Sequence, residues 1–327
     1  SRNEALAGLL ARWNPERAEE LVPVNECAGR VAAADIVSLN TIPVKRTSAM
    51  DGYAVKAQAF EGQAPDTSLW KQGADYAVAD TGDDFPDEFD TVIPTEVCAV
   101  GPEGGLLIDP DHRVEKGANI IPPGKTVREG DAIARAFSLI RPYVLSALVT
   151  GGVRSVPVVK MPRVAFIPSG SELIEAGNKV ERGYNIESNS FMARAYLEKW
   201  GAKANIYPIV KDAPDMQEGM LKKALAENDV VIINGGSSKG TEDYSSRLLQ
   251  KGSSWYLHSV NTVPGRPVAV SIIEGKPVIN VPGPALACWV VFDWLIRPLI
   301  YAYYKLPVPA RPVIKAFLTE DIKKGPA

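Results

Sequence analysis

Sulfur and imidazole are scarce in this chain of 327 residues, which has only three cysteines and two histidines. Cys27, Cys98 and Cys288 stand far apart and form no CxxC pair, and His112 and His258 are single, so the spacing of a zinc site is missing. Scattered thiols without a disulfide framework suit a reducing cytoplasm. There is no basic excess: 36 Lys and Arg against 39 Asp and Glu give a formal net charge of −3. That balance argues against a general nucleic-acid binder. The polar, Ala/Leu-rich start lacks the apolar core of a signal peptide. The most apolar long stretch, residues 284–304, is interrupted by Asp293, Arg297 and Pro298, and reads as a buried helix rather than a membrane span. Two nucleotide-binding signatures are also missing, the GxxxxGK[ST] P-loop and GxGxxG, which disfavours an ordinary NTPase or a dinucleotide dehydrogenase. Neither histidine lies in a nucleophile-elbow pattern, so a Ser–His hydrolase is poorly supported.

What is present is the composition of a soluble globular protein, 46% apolar and 23% charged, at a length that calls for two or three domains. The chain is organised around residues 230–244, VVIINGGSSKGTEDY. Val230, Val231, Ile232 and Ile233 form the short β-branched run of a strand covered on both faces. Asn234, Gly235, Gly236, Ser237, Ser238 and Gly240 then break regular structure, letting backbone N–H groups approach an anion. Thr241 reads as an N-cap, with Glu242 and Asp243 in the first helical turn. Asp243 has two readings, helix-end electrostatics or a carboxylate placed beside a phosphate to hold Mg²⁺.

Along the chain, residues 3–13 have apolar positions at helical spacing (Leu6, Leu9, Leu10, Trp13). Residues 21–24 read as a strand and the Ala-rich stretch 27–35 is helix-compatible. From 57 to about 128 the texture is all-β, with short apolar runs between Gly, Pro and Asp clusters, and the acidic stretch 81–90 reads as a solvated loop. Residues 140–148 look helical and lead through 149–159 into a strand. After Pro162, strands and helices alternate: strand 164–167, helix 190–200 capped by Ser188 or Asn189, strand 205–210, helix 214–227, strand 230–233, strands 268–273 and 277–281, and the closing helix. That alternation predicts a parallel, three-layer α/β domain with ligands at the carboxyl ends of its strands. Helix 214–227 would turn Met216, Met220, Leu221, Ala224 and Leu225 to one side. Pro307, Pro309 and Pro312 read as a stiff linker, and residues 313–318 as the first strand of a further domain that is mostly not included.

The loops at those strand ends offer the carboxylates Glu172, Asp212 and Asp243, with backbone donors at Ser169–Gly170 and 235–240. An anion cradle with acidic side chains suits a phosphate-bearing ligand bridged by Mg²⁺, to which Lys239 and Arg266 would add positive charge. Each carboxylate also has a structural reading: Glu172 as a cap, and Asp212, before Ala213-Pro214, as an N-cap.

Five stretches carry a resemblance. SAMDGYAV at 48–55, Ser-Gly-x-Glu-Leu at 169–173, GGSSKGTEDY at 235–244, Pro-Gly-Arg-Pro at 264–267 and Pro-Gly at 282–283 occur in the order seen in molybdopterin molybdenumtransferases, the MoeA family, which includes the gephyrin E domain. SAMDGYAV is highly specific to that family, and the resemblance covers almost the whole chain. It implies an α/β multidomain protein. An elongated domain would span residues 1–46 and 128–160, an inserted β-rich domain 47–127, and a three-layer molybdopterin-binding domain 161–306. Residues 307–327 would begin a truncated C-terminal β barrel. It further implies insertion of molybdate into adenylylated molybdopterin with Mg²⁺-dependent release of AMP, in a cytoplasmic homodimer. Asp243, Glu172, Asp212 and Asp51 would be the catalytic positions, with Asp243 and Glu172 holding the metal. Ser169, Gly170, Ser188, Asn189, Gly235, Gly236, Ser237, Ser238, Gly240, Pro264, Gly265, Arg266, Pro282, Gly283 and Thr81 would bind the pterin nucleotide. Asp51 and Thr81 would reach the site from a second copy. Molybdopterin adenylyltransferase or molybdoenzymes are the further partners this implies, with no nucleic acid and no membrane. Val263, Ala287 and Asn119 depart from the family pattern, the first two in its molybdate-binding half. Two other readings stand beside this one: a molybdopterin adenylyltransferase, against which SAMDGYAV and the β insert argue, and a binding or scaffold homologue without catalysis.

Overall fold

A computed structural model of the chain describes residues 1–62, 65–235, 244–317 and 319–320, without the side chain of Tyr244. The chain divides into two compact units, residues 1–18 with 159–327, and residues 19–158.

The chain opens with α1 (Arg2–Leu10), closed by a capping box between Ser1 and Glu4. The 19–158 unit then follows. Its strands are β1 (Glu19–Pro23), β2 (Ile36–Val37), β3 (Thr47–Ser48), β4 (Gly52–Val55), β5 (Tyr76–Ala79), β6 (Thr91–Pro94), β7 (Cys98–Val100), β8 (Leu106–Ile108), β9 (Ile120–Ile121), β10 (Ala132–Ala134) and β11 (Ser155–Val159). Its one α-helix among the described residues is α2 (Pro142–Thr150). One core gathers Cys27, Ala32, Ile36, Ile140, Leu148 and Val156. Another is built on the antiparallel sheet β5–β4–β6, around Ala54, Val92, Phe85 and Phe89. The acidic stretch 81–90 is therefore more than a solvated loop: two phenylalanines four residues apart anchor it in a core. The Ala-rich stretch 27–35 is not helical. Val31 and Ala32 instead bridge to Leu139 and Val158, because pairing with a distant strand outweighs a weak helical propensity.

The second unit is a six-stranded sheet between helices. Its strands are β12 (Arg163–Pro168), β15 (Lys203–Ile206), β16 (Val230–Asn234), β17 (Trp255–His258), β18 (Ala269–Ile273) and β19 (Lys276–Val281), and β13 (Leu173–Ile174) and β14 (Asn185–Ile186) form a small parallel pair beside it. The order is β15-β12-β16-β19-β18-β17. Its helices are α3 (Asn189–Lys199), α4 (Pro214–Glu227), α5 (Tyr244–Gly252), α6 (Ala285–Val291) and α7 (Arg297–Tyr303), the last two joined by a π-helical turn over Phe292–Ile296. Ala165, Ile167, Val231 and Ile233 face α4 and α5 and pack with Leu221, Leu225 and Leu249. On the other face Phe166 meets Phe292. A fully buried Val or Ile contributes about 1.5–3 kcal/mol, so the β-branched run Val230–Ile233 of β16, beside the buried Val164, Phe166 and Ile167 of β12, contributes strongly to this unit's stability.

The sheet is mixed rather than wholly parallel. β15, β12, β16 and β19 are parallel, but β18 runs antiparallel to β19 and β17 antiparallel to β18. The link from β18 to β19 is only Glu274 and Gly275, both with positive φ, as in a tight hairpin turn. A parallel connection needs a crossover of about a dozen residues. The strand expected at 205–210 ends at Ile206, and β17 had no counterpart in the sequence reading. The helical stretch Ala285–Tyr303 is long and apolar enough to cross a membrane, yet Cys288, Phe292, Leu295, Ile296 and Leu299 are all buried within the protein.

The opening segment, grouped above with residues 19–46, packs with the α/β unit instead. Arg12 lies over the Trp255 ring at 5.1 Å, Trp13 stacks 6.0 Å from Tyr303, and the Arg17 guanidinium bonds the Tyr303 carbonyl.

Candidate functional site

The order of connections locates the site. From β12 the chain goes out through α3 to β15 on one side, then returns through α4 to β16 on the other. The carboxyl ends of β12 and β16 therefore flank a topological switch point, where open α/β sheets hold their ligands. A cavity of about 400 Å³ lies there, lined by Ser169, Glu172, Glu187, Asn189, Asn234 and Gly235 among others.

Main-chain hydrogen bonds stitch the loops around it. Ser169 N donates to Asn234 O (2.8 Å), Gly170 N to Val210 O (3.0 Å) and Gly235 N to Val281 O (3.1 Å). Beneath the cavity two buried amides form a clamp. Asn189 Nδ2 donates to Asn234 Oδ1 (2.9 Å) and to Gly283 O (2.7 Å), and Asn234 Nδ2 donates to Pro282 O (2.8 Å). The clamp brings the N-terminus of α3, at Ser188 and Asn189, to the N-terminus of α6, at Gly283 and Ala285. Two helix N-termini facing one cavity favour negative charge there, which at α3 the Glu187 carboxylate already supplies in part.

The carboxylates do not follow their capping readings. Glu172 caps no helix. It turns back over Gly170, where a Cβ would lie 2.6 Å from its Oε2, and it lines the cavity. Asp212 is not an N-cap either: α4 is preceded by Ala213, with no side-chain cap. Its Oδ2 accepts from Ser171 N (2.9 Å), its own N–H donates to Ser171 Oγ (3.1 Å), and its Oδ1 accepts from Gln217 Nε2 (3.3 Å). Asp212 thus holds the loop after β12. Neither Ser188 nor Asn189 caps α3 through its side chain. Glu187, buried, accepts from Ser190 N (2.8 Å) and from Ser190 Oγ. Burial, with the Glu187 charge second, pushes the Cys288 thiol up to about 12, so this cysteine stays a neutral thiol in the core.

Ser169, Glu172, Ser188, Asn189, Gly235 and Gly283 are brought together at the cavity. Gly170 flanks it, and Pro282 joins through its carbonyl. Pro264, Gly265 and Arg266 are not among its lining residues. Gly265 packs against α6 beside Val291 and the Ala287 carbonyl, so the departure at Ala287 lies next to this loop. Gly236, Ser237, Ser238, Lys239, Gly240, Thr241, Glu242 and Asp243 lie outside the described residues. Among the described residues no group of three or more His, Cys, Asp or Glu converges as a metal centre. The site residues that sequence reasoning missed are Glu187, Asn185, Gln217 and the side chain of Asn234. A polar residue ending a buried β-branched run, as Asn234 does, was the available signal.

Asp51 and Thr81 meet in the other unit. Thr81 donates from both its N–H and its Oγ1 to Asp51 Oδ1, each at 2.8 Å. Asn119 has a φ of 58° and donates to Val92 O (2.8 Å), a conformation that Asn tolerates well. The bonds from the Thr81 backbone and then its hydroxyl hold the Asp51 carboxyl below the usual carboxylate range. A depressed folded pKa stabilises above the unfolded value, about 3.9, and that contribution is lost as pH falls through the folded value. Thr81→Val removes the hydroxyl bond. An NMR titration should then place the Asp51 midpoint closer to the ordinary range, and an unmoved midpoint rules this account out.

With the geometry in place, comparison with known proteins shows what the chain is similar to. Residues 1–152 match the family model described as "MoeA N-terminal region (domain I and II)", and residues 165–302 match "Probable molybdopterin binding domain". A molybdopterin biosynthesis protein of Methanocaldococcus jannaschii is 30% identical over 307 residues, covering 89% of this chain and 76% of that one. A molybdopterin molybdenumtransferase of Staphylococcus aureus is 28% identical over 321 residues, covering 93% and 76%. The crystal structure of a molybdopterin biosynthesis MoeA protein from Pyrococcus horikoshii superposes with a TM-score of 0.77 at 25% identity, covering 94% of this chain and 79% of that one.

Proposed function

Since the chain belongs to the MoeA family and is a transferase of molybdenum cofactor biosynthesis, we propose that it inserts molybdate into adenylylated molybdopterin and releases AMP, with Mg²⁺ as its metal. The observation that carries this reading is the cavity at the switch point, where two helix N-termini meet the carboxylate of Glu172. The donors suit phosphate oxygens and the carboxylate suits a hard cation. Mg²⁺ usually takes one or two carboxylates plus substrate phosphates rather than an all-protein cage, and Glu172, with Asp243 as the family resemblance implies, would supply them. Bound there, it would neutralise charge on the leaving phosphate.

The step balances without redox change. Two Mo–S bonds replace one Mo–O bond, and the two thiol protons leave with that oxygen as water. The phosphoanhydride breaks by adding one water, giving AMP. The chain's own part is to bind and orient: the N-termini of α3 and α6 receive the phosphates, the amide clamp fixes their spacing, and the Ser169 loop closes the side of the cavity. The family resemblance further assigns Asp51 and Thr81 to this site through a second copy of the chain. We place that homodimer in the cytoplasm.

Calorimetric titration of the chain with AMP and Mg²⁺ tests the reading, alongside Asp243→Asn. Binding is expected to require Mg²⁺ and to weaken about tenfold or more in the variant, a loss of roughly 1.4 kcal/mol. Equal affinity in both proteins, or binding indifferent to Mg²⁺, overturns the assignment of Asp243.

A further inference from the structure

Helix α4 sends one polar side chain into the interior. Gln217, at 6% exposure, stands one turn before Leu221 on the face that meets the sheet. Each bond of its amide goes to a different segment. Nε2 donates to Ser169 Oγ (2.9 Å) and to Asp212 Oδ1 (3.3 Å), and Oε1 accepts from Ser245 Oγ (3.1 Å). Both N–H groups and the carbonyl are used. The orientation of the amide is forced. A carboxylate only accepts, so the NH₂ group must face Asp212 and Ser245 must donate to the carbonyl.

The three partners belong to three parts of the site. Ser169 lines the cavity, Asp212 holds the loop after β12 through Ser171 N, and Ser245 is the second residue of α5. We infer that Gln217 is a positioning residue: it fixes Asp212 and the Ser169–Ser171 loop, and ties both to the start of α5. Its consequence for the reaction rests on the proposed function; its consequence for the loop does not. An apolar residue of similar shape would pack as well between α4 and the sheet. What it cannot do is donate to Asp212 Oδ1, which would be left with the long contact from the Ser169 hydroxyl at 3.5 Å, so the carboxylate would be held less firmly toward Ser171. A misplacement of about 1 Å in such machinery costs on the order of 100-fold in rate.

The test uses the full chain with Gln217→Leu and Gln217→Glu, each alone and combined with Asp212→Asn. Two quantities are read: amide hydrogen exchange at Ser171, and kcat and KM for molybdate insertion into adenylylated molybdopterin. In Gln217→Leu, Ser171 exchange is expected to quicken about tenfold or more while the amides of Val230–Ile233 stay protected. Its kcat is expected to fall roughly 10- to 100-fold, with KM within about threefold. Gln217→Glu sets two carboxylates against each other and should expose Ser171 further. Adding Asp212→Asn restores an amide–carboxylate pair with the roles exchanged, so Ser171 protection should return toward wild type. A merely structural role for Gln217 predicts no such rescue. For kcat, Gln217→Leu with Asp212→Asn should be no worse than Asp212→Asn alone, since both act through one group.

Unchanged Ser171 exchange in Gln217→Leu, no rescue in the swapped pair, or additive effects on kcat each overturn the inference. If the unaltered chain inserts no molybdate while Ser171 responds as expected, the functional reading fails and the positioning role stands.

Discussion

Gly235→Ala is expected to disable the cavity from its floor. Gly235 has a φ of +118°, and a Cβ there would lie 2.1 Å from the carbonyl oxygen of Ser169. The obstacle is backbone, held on both sides: Ser169 N donates to Asn234 O and Gly170 N donates to Val210 O. Ser169 cannot shift without straining its bond to Asn234, nor Gly170 without straining its bond to Val210. An L-residue at such a φ costs on the order of 1–3 kcal/mol, and overpacking a tight site about 1–3 kcal/mol more. The sum, roughly 2–6 kcal/mol, rivals the stability of a whole domain. Amide exchange along β12 and β16 in the full chain reads the loss directly, and calorimetry with AMP reads its effect on the site. Wild-type protection of both strands together with wild-type affinity would show that the loops relax around the methyl group, which would remove the rigid floor from the argument.

The strands behind that floor were legible in the sequence because burial on both faces leaves a simple mark, four consecutive β-branched residues at 230–233. The polar groups at their ends were less so. Asn234 looked like the start of a loop, whereas its side chain is a buried structural part that pairs with a residue 45 positions earlier. Helical periodicity put Met216 on the apolar side of α4 and ignored Gln217. In the structure Met216 is 53% exposed and Gln217 is buried. The first turn of α4 lies at the carboxyl end of the sheet, where polar loops supply partners for an amide, and the apolar stripe starts one turn later, at Met220 and Leu221. Periodicity reports the hydrophobic core and is silent about a polar one.

The carboxylates show the same limit from another side. Asp212 before Ala213-Pro214 matched the local rule for an N-cap, but its oxygens went to Ser171 N and Gln217. Local rules count only neighbours in sequence, and here a neighbour in space offered a charge-assisted bond of 2.9 Å. The hairpin β18–β19 differs, because its evidence was in the sequence. Between the expected strands 268–273 and 277–281 there is no room for a crossover, and applying that constraint would have made β18 antiparallel from the start.

The second large effect is expected at Asn234. Asn234→Ala leaves the Pro282 carbonyl and one N–H of Asn189 without their partners, where both amide side chains are buried. Each orphaned buried group costs about 1–3 kcal/mol, so a loss of roughly 2–5 kcal/mol is expected. Asn234→Asp tests the cause at nearly constant volume. The carboxylate still accepts from Asn189, but it turns a charged acceptor toward the Pro282 carbonyl, so it should be no better tolerated than alanine. The functional consequence follows from what the clamp joins. Asn189 begins α3, and Gly283 precedes α6, so opening the clamp lets two helix N-termini drift apart and dilutes the positive end that an anion meets. AMP affinity should therefore fall together with protection of the β16 amides. Asn189→Ala and Asn234→Ala should cost less in combination than the sum of the two, because the first already breaks the bond that the second removes. Strict additivity would mean that each amide serves its carbonyl separately and that no clamp exists. Lost stability with unchanged AMP affinity would confine the pair to holding the fold and shift anion binding to the backbone around Gly235.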